Sequence, residues 1–205
     1  MHASLNLFAD CTPSRLGPDL KWLNEPPDWR LAEGELSVTP EAGTDFFRPV
    51  GDPPFDNAGL LYTEASGDFT AVTHAEAHLV GFGDAAAITV RAGSDRWAKL
   101  CIERSPLGEV SIVSVVTAPW SDDANSELLD RPARYLRITR RGDLLGMHHS
   151  ADGELWRFVR ACHLELPGTV MVGVHAQAPF VGGSQATFRL LYVRPEPVQD
   201  FRSGE

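Results

Sequence analysis

Cysteine is scarce in this chain and is never closely spaced. Cys11, Cys101 and Cys162 are odd in number, lie far apart and form no Cys-x-x-Cys motif. This pattern argues against a disulfide framework and against a zinc knuckle. We expect Cys101 and Cys162, which lie in strand-like runs, to serve as small apolar fillers.

Positive charge is also in short supply. The chain has 18 Lys and Arg against 28 Asp and Glu, which gives a formal net charge of -10 at pH 7. An acidic surface repels phosphate groups, and Arg140-Arg141 is the strongest local basic pair. We therefore expect neither a nucleic acid nor an anionic membrane as a partner.

Long apolar runs and several familiar motifs are missing. No stretch approaches the roughly 18–20 apolar residues of a membrane helix, and the first residues lack the basic start and apolar core of a secretory signal. These features predict a cytoplasmic protein. Gly-x-Ser-x-Gly, phosphate-loop and dinucleotide-binding motifs do not occur, which disfavours the corresponding hydrolase, kinase and dehydrogenase classes.

Short extended segments separated by turn sequences fill the chain instead, and helical periodicity is limited to one turn at Ser126 to Leu129. About eleven such segments recur at the spacing of roughly 8–12 residues that is typical of β-sandwiches. We predict an all-β, two-sheet antiparallel sandwich that forms a single domain over residues 1–205, with its core at about 20–194 and peripheral terminal segments. The predicted strands are Gly34–Thr39, Gly59–Thr63, Asp68–Val80, Ala86–Ala92, Arg96–Arg104, Glu109–Thr117, Ala133–Arg140, Leu144–His148, Leu155–Cys162, Val170–Ala176 and Ala186–Arg194.

Alternation along each strand divides its side chains between two faces. On Arg96–Arg104, one face has Ala98, Leu100 and Ile102, and the other has Trp97, Lys99, Cys101 and Glu103. On the strand from Val170, the valines oppose His175 and Gln177. We expect one dry face on each sheet and one wet face that is open to a ligand.

Short motifs also follow one another in a characteristic order. They are Trp22-Leu23-Asn24-Glu25-Pro26-Pro27, Thr44-Asp45-Phe46-Phe47, Gly67-Asp68-Phe69, Trp97-Ala98-Lys99-Leu100-Cys101-Ile102-Glu103, Ser121-Asp122, Ser150-Ala151-Asp152-Gly153 and Val172-Gly173-Val174. From about Leu20 to Val193, this order resembles the domain of unknown function 1349 family, whose relatives include a yeast regulation-of-enolase protein. The resemblance implies a concanavalin A-like lectin/glucanase jelly roll, and it implies no established activity.

The chain departs from the pattern of that family at two places. Asp84-Ala85-Ala86-Ala87-Ile88 stands where the family has Asp-Gln-Ala-Gly-Leu, so a glutamine is replaced at Ala85. Ser121-Asp122-Asp123 stands where the family has Ser-Asp-Trp, so an aromatic residue is replaced at Asp123. If these side chains touch a ligand in relatives, the ligand of this chain is expected to differ.

The wet face supplies the candidate ligand-binding residues. Trp97 would stack on a sugar or another planar ligand, while Lys99, Glu103 and Arg160 would form hydrogen bonds. The full set that we assign is Trp97, Lys99, Glu103, Asp122, Arg160, His175 and Gln177. A packed tryptophan beside surface ion pairs and ordinary polar surface is the alternative interpretation.

Two clusters contain the residue types of metal sites. His74, Glu76 and His78 share a strand face but span about 13 Å, too far for one zinc ion. The acidic and amide residues of the segment 121–127 suit calcium but lack the EF-hand glycine and spacing. We predict no metal ligand and no cofactor, with calcium as the alternative.

Three functions stay open, and we rank a non-catalytic binding module first. It would bind a carbohydrate or a similar polar small molecule on its concave sheet face. The second is a protein-interaction or regulatory module, as the enolase-regulating relative suggests. The third is a glycoside-active enzyme that uses Glu103, which needs a second carboxyl about 5–10 Å away. The oligomeric state stays open.

Overall fold

The computed structural model describes residues 6–9, 11–12 and 15–205, and this part of the chain contains strands but no helix. The strands are β1 Lys21–Leu23, β2 Asp28–Ala32, β3 Glu35–Thr39, β4 Phe46–Phe47, β5 Phe55–Asp56, β6 Gly59–Ser66, β7 Phe69–His78, β8 Ala85–Gly93, β9 Arg96–Arg104, β10 Val110–Thr117, β11 Ser121–Leu128, β12 Ala133–Arg141, β13 Leu144–Ser150, β14 Arg157–His163, β15 Thr169–Gln177 and β16 Gln185–Arg194. Nothing in the described residues forms a helix with the length and apolar character of a membrane span.

Two seven-stranded sheets lie face to face. The front sheet has the order β1-β6-β15-β8-β9-β10-β11, and the back sheet has the order β14-β13-β12-β7-β16-β3-β2. Neighbouring strands are antiparallel throughout both sheets. The predicted all-β antiparallel sandwich is therefore confirmed.

The main core fills the space between the two sheets. It consists of the apolar side chains that the alternation along each strand predicted to share a dry face. The front sheet contributes Ile88, Leu100, Ile102, Val172 and Val174, and the back sheet contributes Ala71, Leu136, Ile138, Phe188 and Leu191. These side chains are fully buried. Burial of one such large aliphatic or aromatic side chain contributes about 1.5–3 kcal/mol, so this layer is the main source of stability.

The outer face of the front sheet is dry over much of its area, contrary to our expectation of one dry and one wet face. Residues 44–58, which contain the β4–β5 hairpin and which we call the cover segment, fold over this face. Beneath the cover lies a second, smaller core, the outer cluster, which consists of Phe46, Ala58, Leu60, Ala85, Ala87, Trp97, Cys101, Val113 and Val115. Polar side chains of this face such as Lys99 and His175 are therefore buried together with this second core and do not lie on an open surface.

The structure adds strands that the sequence did not indicate. β1, β2, β4 and β5 are short, whereas β11 covers Ser121–Leu128, where we predicted no strand and at most one turn of helix from Ser126. β11 pairs with β10 and forms the edge of the front sheet. Its polar composition suits an edge strand, because one side of such a strand has no neighbour and faces solvent.

The terminal segments contribute more to the core than expected. Phe8 is fully buried in the main core, and the amide of Leu7 donates to the carbonyl of Leu191 on β16 over 2.9 Å. Residues 1–5, 10, 13 and 14 lie outside the described residues, so the expectation for that part of the N-terminal segment is not addressed. At the other end, Val198 is also buried.

Candidate functional site

A pocket of about 190 Å³ opens at one end of the cover segment, on the outer face of the front sheet. Its wall is largely aromatic, and its floor is polar. The lining residues are Asp45, Phe47, Phe55, Phe82, Gly83, Lys99, Glu103, Val115, Asp123, Gln177, Pro179 and Phe180. Of the residues assigned from the sequence, Lys99, Glu103 and Gln177 meet here.

Lys99 is the centre of a buried hydrogen-bond network. Its side chain is 1% exposed, and Nζ donates to Oδ1 of Asp45 over 3.1 Å, to the carbonyl of Phe46 over 2.8 Å and to Oε1 of Gln177 over 2.7 Å. Burial lowers the pKa of Lys99, but the nearby groups Asp45, Cys101 and Glu103 together more than offset burial, so the pKa lies above its ordinary value. An ammonium has three N–H donors, and all three are used. Lys99 therefore holds the cover segment on the sheet and has no donor left for a ligand.

His175 continues this network beneath the pocket. Nε2 of Gln177 donates to the carbonyl of Gly83, so Oε1 of Gln177 is the acceptor that faces Lys99 and His175. Nε2 of His175 lies 3.1 Å from that oxygen and Nδ1 lies 2.7 Å from Oγ1 of Thr89, which assigns the ring proton to Nε2 and makes Thr89 a donor to Nδ1. Burial, together with the nearby charge of Lys99, lowers the pKa of His175 to about 3. His175 is thus a neutral structural ring that orients Gln177.

Glu103 and Asp123 are the polar groups that remain for a ligand. Neither side chain forms a hydrogen bond with any described residue, and both line the pocket. The pKa of Glu103 is raised to about 7, chiefly by burial; the charge of Lys99 opposes this increase, and the charges of Asp45 and Asp123 add to it. A carboxyl of this kind changes between donor and acceptor near neutral pH, whereas an ionised carboxylate only accepts.

The aromatic wall is held in place from below. The rings of Phe82 and Phe180 stack with centroids 5.4 Å apart and planes at 16°, and both rings are about half exposed. The fully buried carboxylate of Asp84 accepts from the amides of Val80 and Gly81 over 3.0 and 2.6 Å, and these bonds fix the loop that carries Phe82. The pocket mouth is therefore a pre-formed apolar surface.

Trp97 has a role different from the one assigned to it. Its side chain is fully buried, and the ring of Phe46 on the cover segment lies 6.2 Å from it, centroid to centroid. This burial corrects the expectation that Trp97 stacks on a ligand, because no face of the indole is accessible. The alternation that grouped it with Lys99 and Glu103 is right, but the cover segment closes that end of the face.

Asp122 and Arg160 lie together but outside the pocket. Nη2 of Arg160 on β14 is 3.3 Å from Oδ1 of Asp122 on β11, an ion pair in which the Asp122 side chain is 73% exposed. Successive strand residues point to opposite faces, so the pocket receives Asp123. The sequence interpretation missed Asp123 because it did not recognise β11 as a strand.

Sequence reasoning also missed the residues that the cover segment and the loops bring to the pocket, namely Asp45, Phe47, Phe55, Phe82 and Phe180. One signal was present in the sequence. Thr44-Asp45-Phe46-Phe47 is an apolar and acidic motif inside a region without a predicted long strand. Nothing in its local pattern indicates which sheet face it covers.

The comparison with known proteins agrees with the motif order. The sequence matches the family described as Protein of unknown function (DUF1349) over residues 22–196. The chain belongs to the DUF1349 family. Within curated proteins it is 29% identical to Regulation of enolase protein 1 of Saccharomyces cerevisiae, over 82% of this chain and 85% of the yeast protein.

Solved structures extend this picture of the fold. A functionally unknown protein from Saccharomyces cerevisiae superposes with a TM-score of 0.82 at 26% identity, over 91% of this chain and 99% of the yeast chain. The GH43 protein BlXynB of Bacillus licheniformis has a TM-score of 0.73 at 16% identity, and the match covers 96% of this chain but 40% of the larger protein. The VIP36 exoplasmic/lumenal domain in its Ca²⁺-bound form gives 0.57 at 11% identity. The last two similarities concern the fold alone, and they confirm the lectin/glucanase type of sandwich.

Both departures from the DUF1349 pattern fall on the face that contains the pocket. Ala85 is paired in register with Glu103 on one side and with Gln177 on the other. Asp123 is paired with Val115, which lines the pocket. Where the family pattern has a glutamine and an aromatic residue, this chain has a methyl group and a carboxylate.

Neither cluster of metal-ligand types forms a site in the described residues, where no three His, Cys, Asp or Glu side chains are grouped for one ion. His74 packs edge-on against Tyr135 with centroids 4.5 Å apart, and Glu76 pairs with Arg189 over 2.9 Å. Residues 121–127 belong to β11, whose alternating side chains point to opposite sides.

Proposed function

We propose that this DUF1349 protein is a binding module for a small molecule rich in hydroxyl groups, a carbohydrate or another polyol. The observation that carries the proposal is the free pair Glu103 and Asp123 at the base of an aromatic pocket. Hydroxyl groups donate to carboxylates, and the apolar face of a sugar ring packs against exposed aromatic rings. Phe82 and Phe180 provide such rings.

The size of the pocket limits the ligand. Its volume of about 190 Å³ is below the range of roughly 300–1,000 Å³ that is typical for drug-sized ligands. The buried network of Lys99, Gln177 and His175 supports a floor that is formed before the ligand arrives. We therefore favour a single small ring, or the terminal unit of a longer glycan, over an extended chain.

Calorimetric titration of the purified chain tests this proposal. The panel contains xylose, glucose, myo-inositol and glycerol, with glucosamine added because an acidic floor with aromatic walls also suits an ammonium group. Saturable binding of at least one neutral polyol is expected. Saturable binding of glucosamine alone would replace the polyol with an amine, and no heat of binding with any compound at millimolar concentration would refute the proposal.

Two variants locate the binding in the pocket. Phe82→Ala removes a half-exposed ring and Asp123→Asn removes an exposed charge, so both are expected to fold, and each is expected to weaken binding by about tenfold or more. Leu155→Ala, at a residue that is 77% exposed and does not line the pocket, is the matched control. If Phe82→Ala and Asp123→Asn bind the ligand as tightly as the control Leu155→Ala does, the ligand binds outside this pocket.

Catalysis on glycosides is a second candidate, supported by one observation. The pKa of Glu103 is raised to about 7 by burial, and Asp45 and Asp123 line the same pocket. A protonated carboxyl next to an ionised one is the arrangement that glycoside hydrolysis requires. Release of a chromophore from nitrophenyl glycosides, lost in Glu103→Gln, would support it, and no release from any glycoside would leave the binding role.

A regulatory role through a protein partner is a third candidate. The name of the yeast relative, Regulation of enolase protein 1, supports it, and so does the exposed apolar rim of Phe82, Phe180 and Val181 around the pocket. If a protein partner competes with the polyol for the pocket, polyol binding would regulate the interaction with that partner. The cytoplasmic location stays a prediction.

A further inference from the structure

A second cavity, of about 290 Å³, lies on the outer face of the back sheet. It is opposite in the sandwich to the proposed polyol pocket and shares no residue with it. Its lining residues include Thr70, Tyr135, Arg137, Trp156, Tyr192 and Arg194. The set includes two arginines, two tyrosines and a tryptophan but no acidic side chain.

Strand register brings the two arginines to this cavity. Arg137 on β12 is opposite Val72 on β7, which in turn is opposite Tyr192 on β16. In the next row on the same face, Thr139 is opposite Thr70, and Thr70 is opposite Arg194. The arginines therefore lie on one face and in neighbouring rows, on two strands that are separated only by β7.

Arg137 is buried, and most of its hydrogen-bonding capacity is unused. The residue is 4% exposed, and its side chain makes one hydrogen bond within the described residues, from Nη2 to the carbonyl of Gly204 over 2.8 Å. Nε is buried and has no partner there. A guanidinium has five N–H donors. Because Nε is shielded, the donors that another molecule can reach are those of Nη1 and the second N–H of Nη2.

The charge of Arg137 also has no counter-charge. No Asp or Glu of the described residues forms an ion pair with Arg137 or with Arg194. Burial lowers the pKa of Arg137 to about 10, and the charge of Arg194 contributes. An unpaired buried charge is costly, and an anion bound beside Arg137 would offset that cost.

Aromatic rings complete the site. The guanidinium carbon of Arg137 lies 4.1 Å from the centroid of the Trp156 ring. This contact with the ring restricts the plane of the guanidinium, and a planar guanidinium suits charge-assisted hydrogen bonds to a carboxylate or a phosphate. Tyr135 and Tyr192 provide further ring surface beside it.

We propose that this cavity binds a small anion, whose phosphate or carboxylate group pairs with Arg137 and Arg194 while a planar or apolar body packs against Trp156 and Tyr192. The proposal is independent of the polyol pocket. It assigns a ligand class to a site that the comparisons with known proteins do not describe.

Calorimetry on the full chain tests the charge requirement with phenyl phosphate, benzoate and the neutral benzamide at low ionic strength. Phenyl phosphate or benzoate is expected to bind saturably, and benzamide is expected to bind at least about tenfold more weakly because it cannot form charge-assisted hydrogen bonds. The tighter of the two anions identifies the oxyanion class. Equal binding of benzamide, or no binding of either anion at millimolar concentration, would overturn the proposal.

Inorganic phosphate tests the aromatic contact, because it lacks the ring. It is expected to bind more weakly than phenyl phosphate. Equal affinity of the two would overturn the assignment of Trp156 and Tyr192 to the body of the ligand.

Variants place the anion at the arginines. Arg194→Gln changes an exposed residue and is expected to fold and to weaken binding by about tenfold or more. Arg137→Lys retains the charge but loses the planar fork and should weaken binding as well. Arg157→Gln, at a side chain 71% exposed, is the matched control, and Phe82→Ala in the polyol pocket should leave anion binding unchanged. Wild-type affinity in Arg194→Gln would refute the site.

Discussion

Lys99 and Gln177 lie on strands that are separated by β8, and a hydrogen bond of 2.7 Å joins Nζ of Lys99 to Oε1 of Gln177. The same ammonium group binds Asp45 and the carbonyl of Phe46 on the cover segment. One buried lysine thus connects the front sheet, the cover segment and the pocket floor. Its role in this structure is to form the site, which differs from the direct ligand contact assigned from the sequence.

Lys99→Met is expected to destabilise the fold by about 3–5 kcal/mol, because it leaves the carboxylate of Asp45 buried without a partner. Denaturation by urea, followed by tryptophan fluorescence, measures the change, since Trp97 lies under the same cover. Lys21→Met is the control: Lys21 pairs with Glu64 over 3.5 Å at an exposed site, where a loss below about 1 kcal/mol is expected. A loss below about 1 kcal/mol for Lys99→Met would contradict the conclusion that Lys99 holds the cover segment on the sheet.

Glu103→Gln is expected to stabilise the protein at alkaline pH. The pKa of Glu103 is raised from 4.5 to about 7, chiefly by burial, so the native state holds a proton that the unfolded state has already lost between these values. The contribution of Glu103 to the free energy of unfolding of the wild-type protein therefore falls as the pH rises from 4.5 to 7. Because Glu103 is partly open to the pocket, we expect a gain of about 1–2 kcal/mol at pH 8 and little gain at pH 4.5. An equal effect at both pH values would show that the carboxyl is not perturbed.

Acid is expected to destabilise the fold through its buried histidines. Burial lowers the pKa of His148 from 6.5 to about 4, and Nε2 of that ring lies 2.7 Å from the carbonyl of Phe201. Between pH 6.5 and 4 the unfolded state binds a proton that the native state does not, so stability falls as the pH falls through this window, by up to about 3 kcal/mol.

His148→Gln is the variant that tests this source of acid sensitivity. It keeps a neutral donor for the carbonyl of Phe201 and should flatten the dependence of the unfolding free energy on pH in that window, whatever its effect at pH 7. His78→Gln, on the exposed end of β7, is the control. An unchanged slope in His148→Gln would mean that other groups cause the acid sensitivity.

The sequence was sufficient for the layers of the fold but not for the site. Alternation in Arg96–Arg104 placed Leu100 in the main core and grouped Lys99 with Glu103, because the period of a strand depends on local geometry alone. It did not reveal that Trp97 lies under Phe46, because that contact joins segments about fifty residues apart and depends on where the cover segment folds.

The error at Asp122 has a local cause. Ser121–Leu128 contains residues of low strand propensity, and it is extended because it pairs with β10 at the edge of the sheet. Unless this pairing is known, the sheet face to which each side chain of the segment points is not defined. We therefore assigned Asp122 to the site, although its neighbour Asp123 lines the pocket. The order of the family motifs pointed to the segment that contains Asp122, but it did not give the register in which this segment pairs with β10.

Asp123→Asn is expected to lower the pKa of Glu103. Both side chains line the pocket, and the negative charge of Asp123 is one of the charges that raise the pKa of Glu103. Burial, the larger cause, remains, so the pKa should fall only part of the way to its ordinary value. Carbon-detected NMR titration of the Glu103 carboxyl measures the change directly.

Asp122→Asn is the matched control for this measurement. The substitution removes the same charge from the adjacent residue, whose side chain pairs with Arg160 outside the pocket. A face-specific interaction predicts a small effect on Glu103 in Asp122→Asn and a larger one in Asp123→Asn. Equal effects would show that net charge alone moves the titration, and Asp123 would then lose its place beside Glu103 in the polyol pocket.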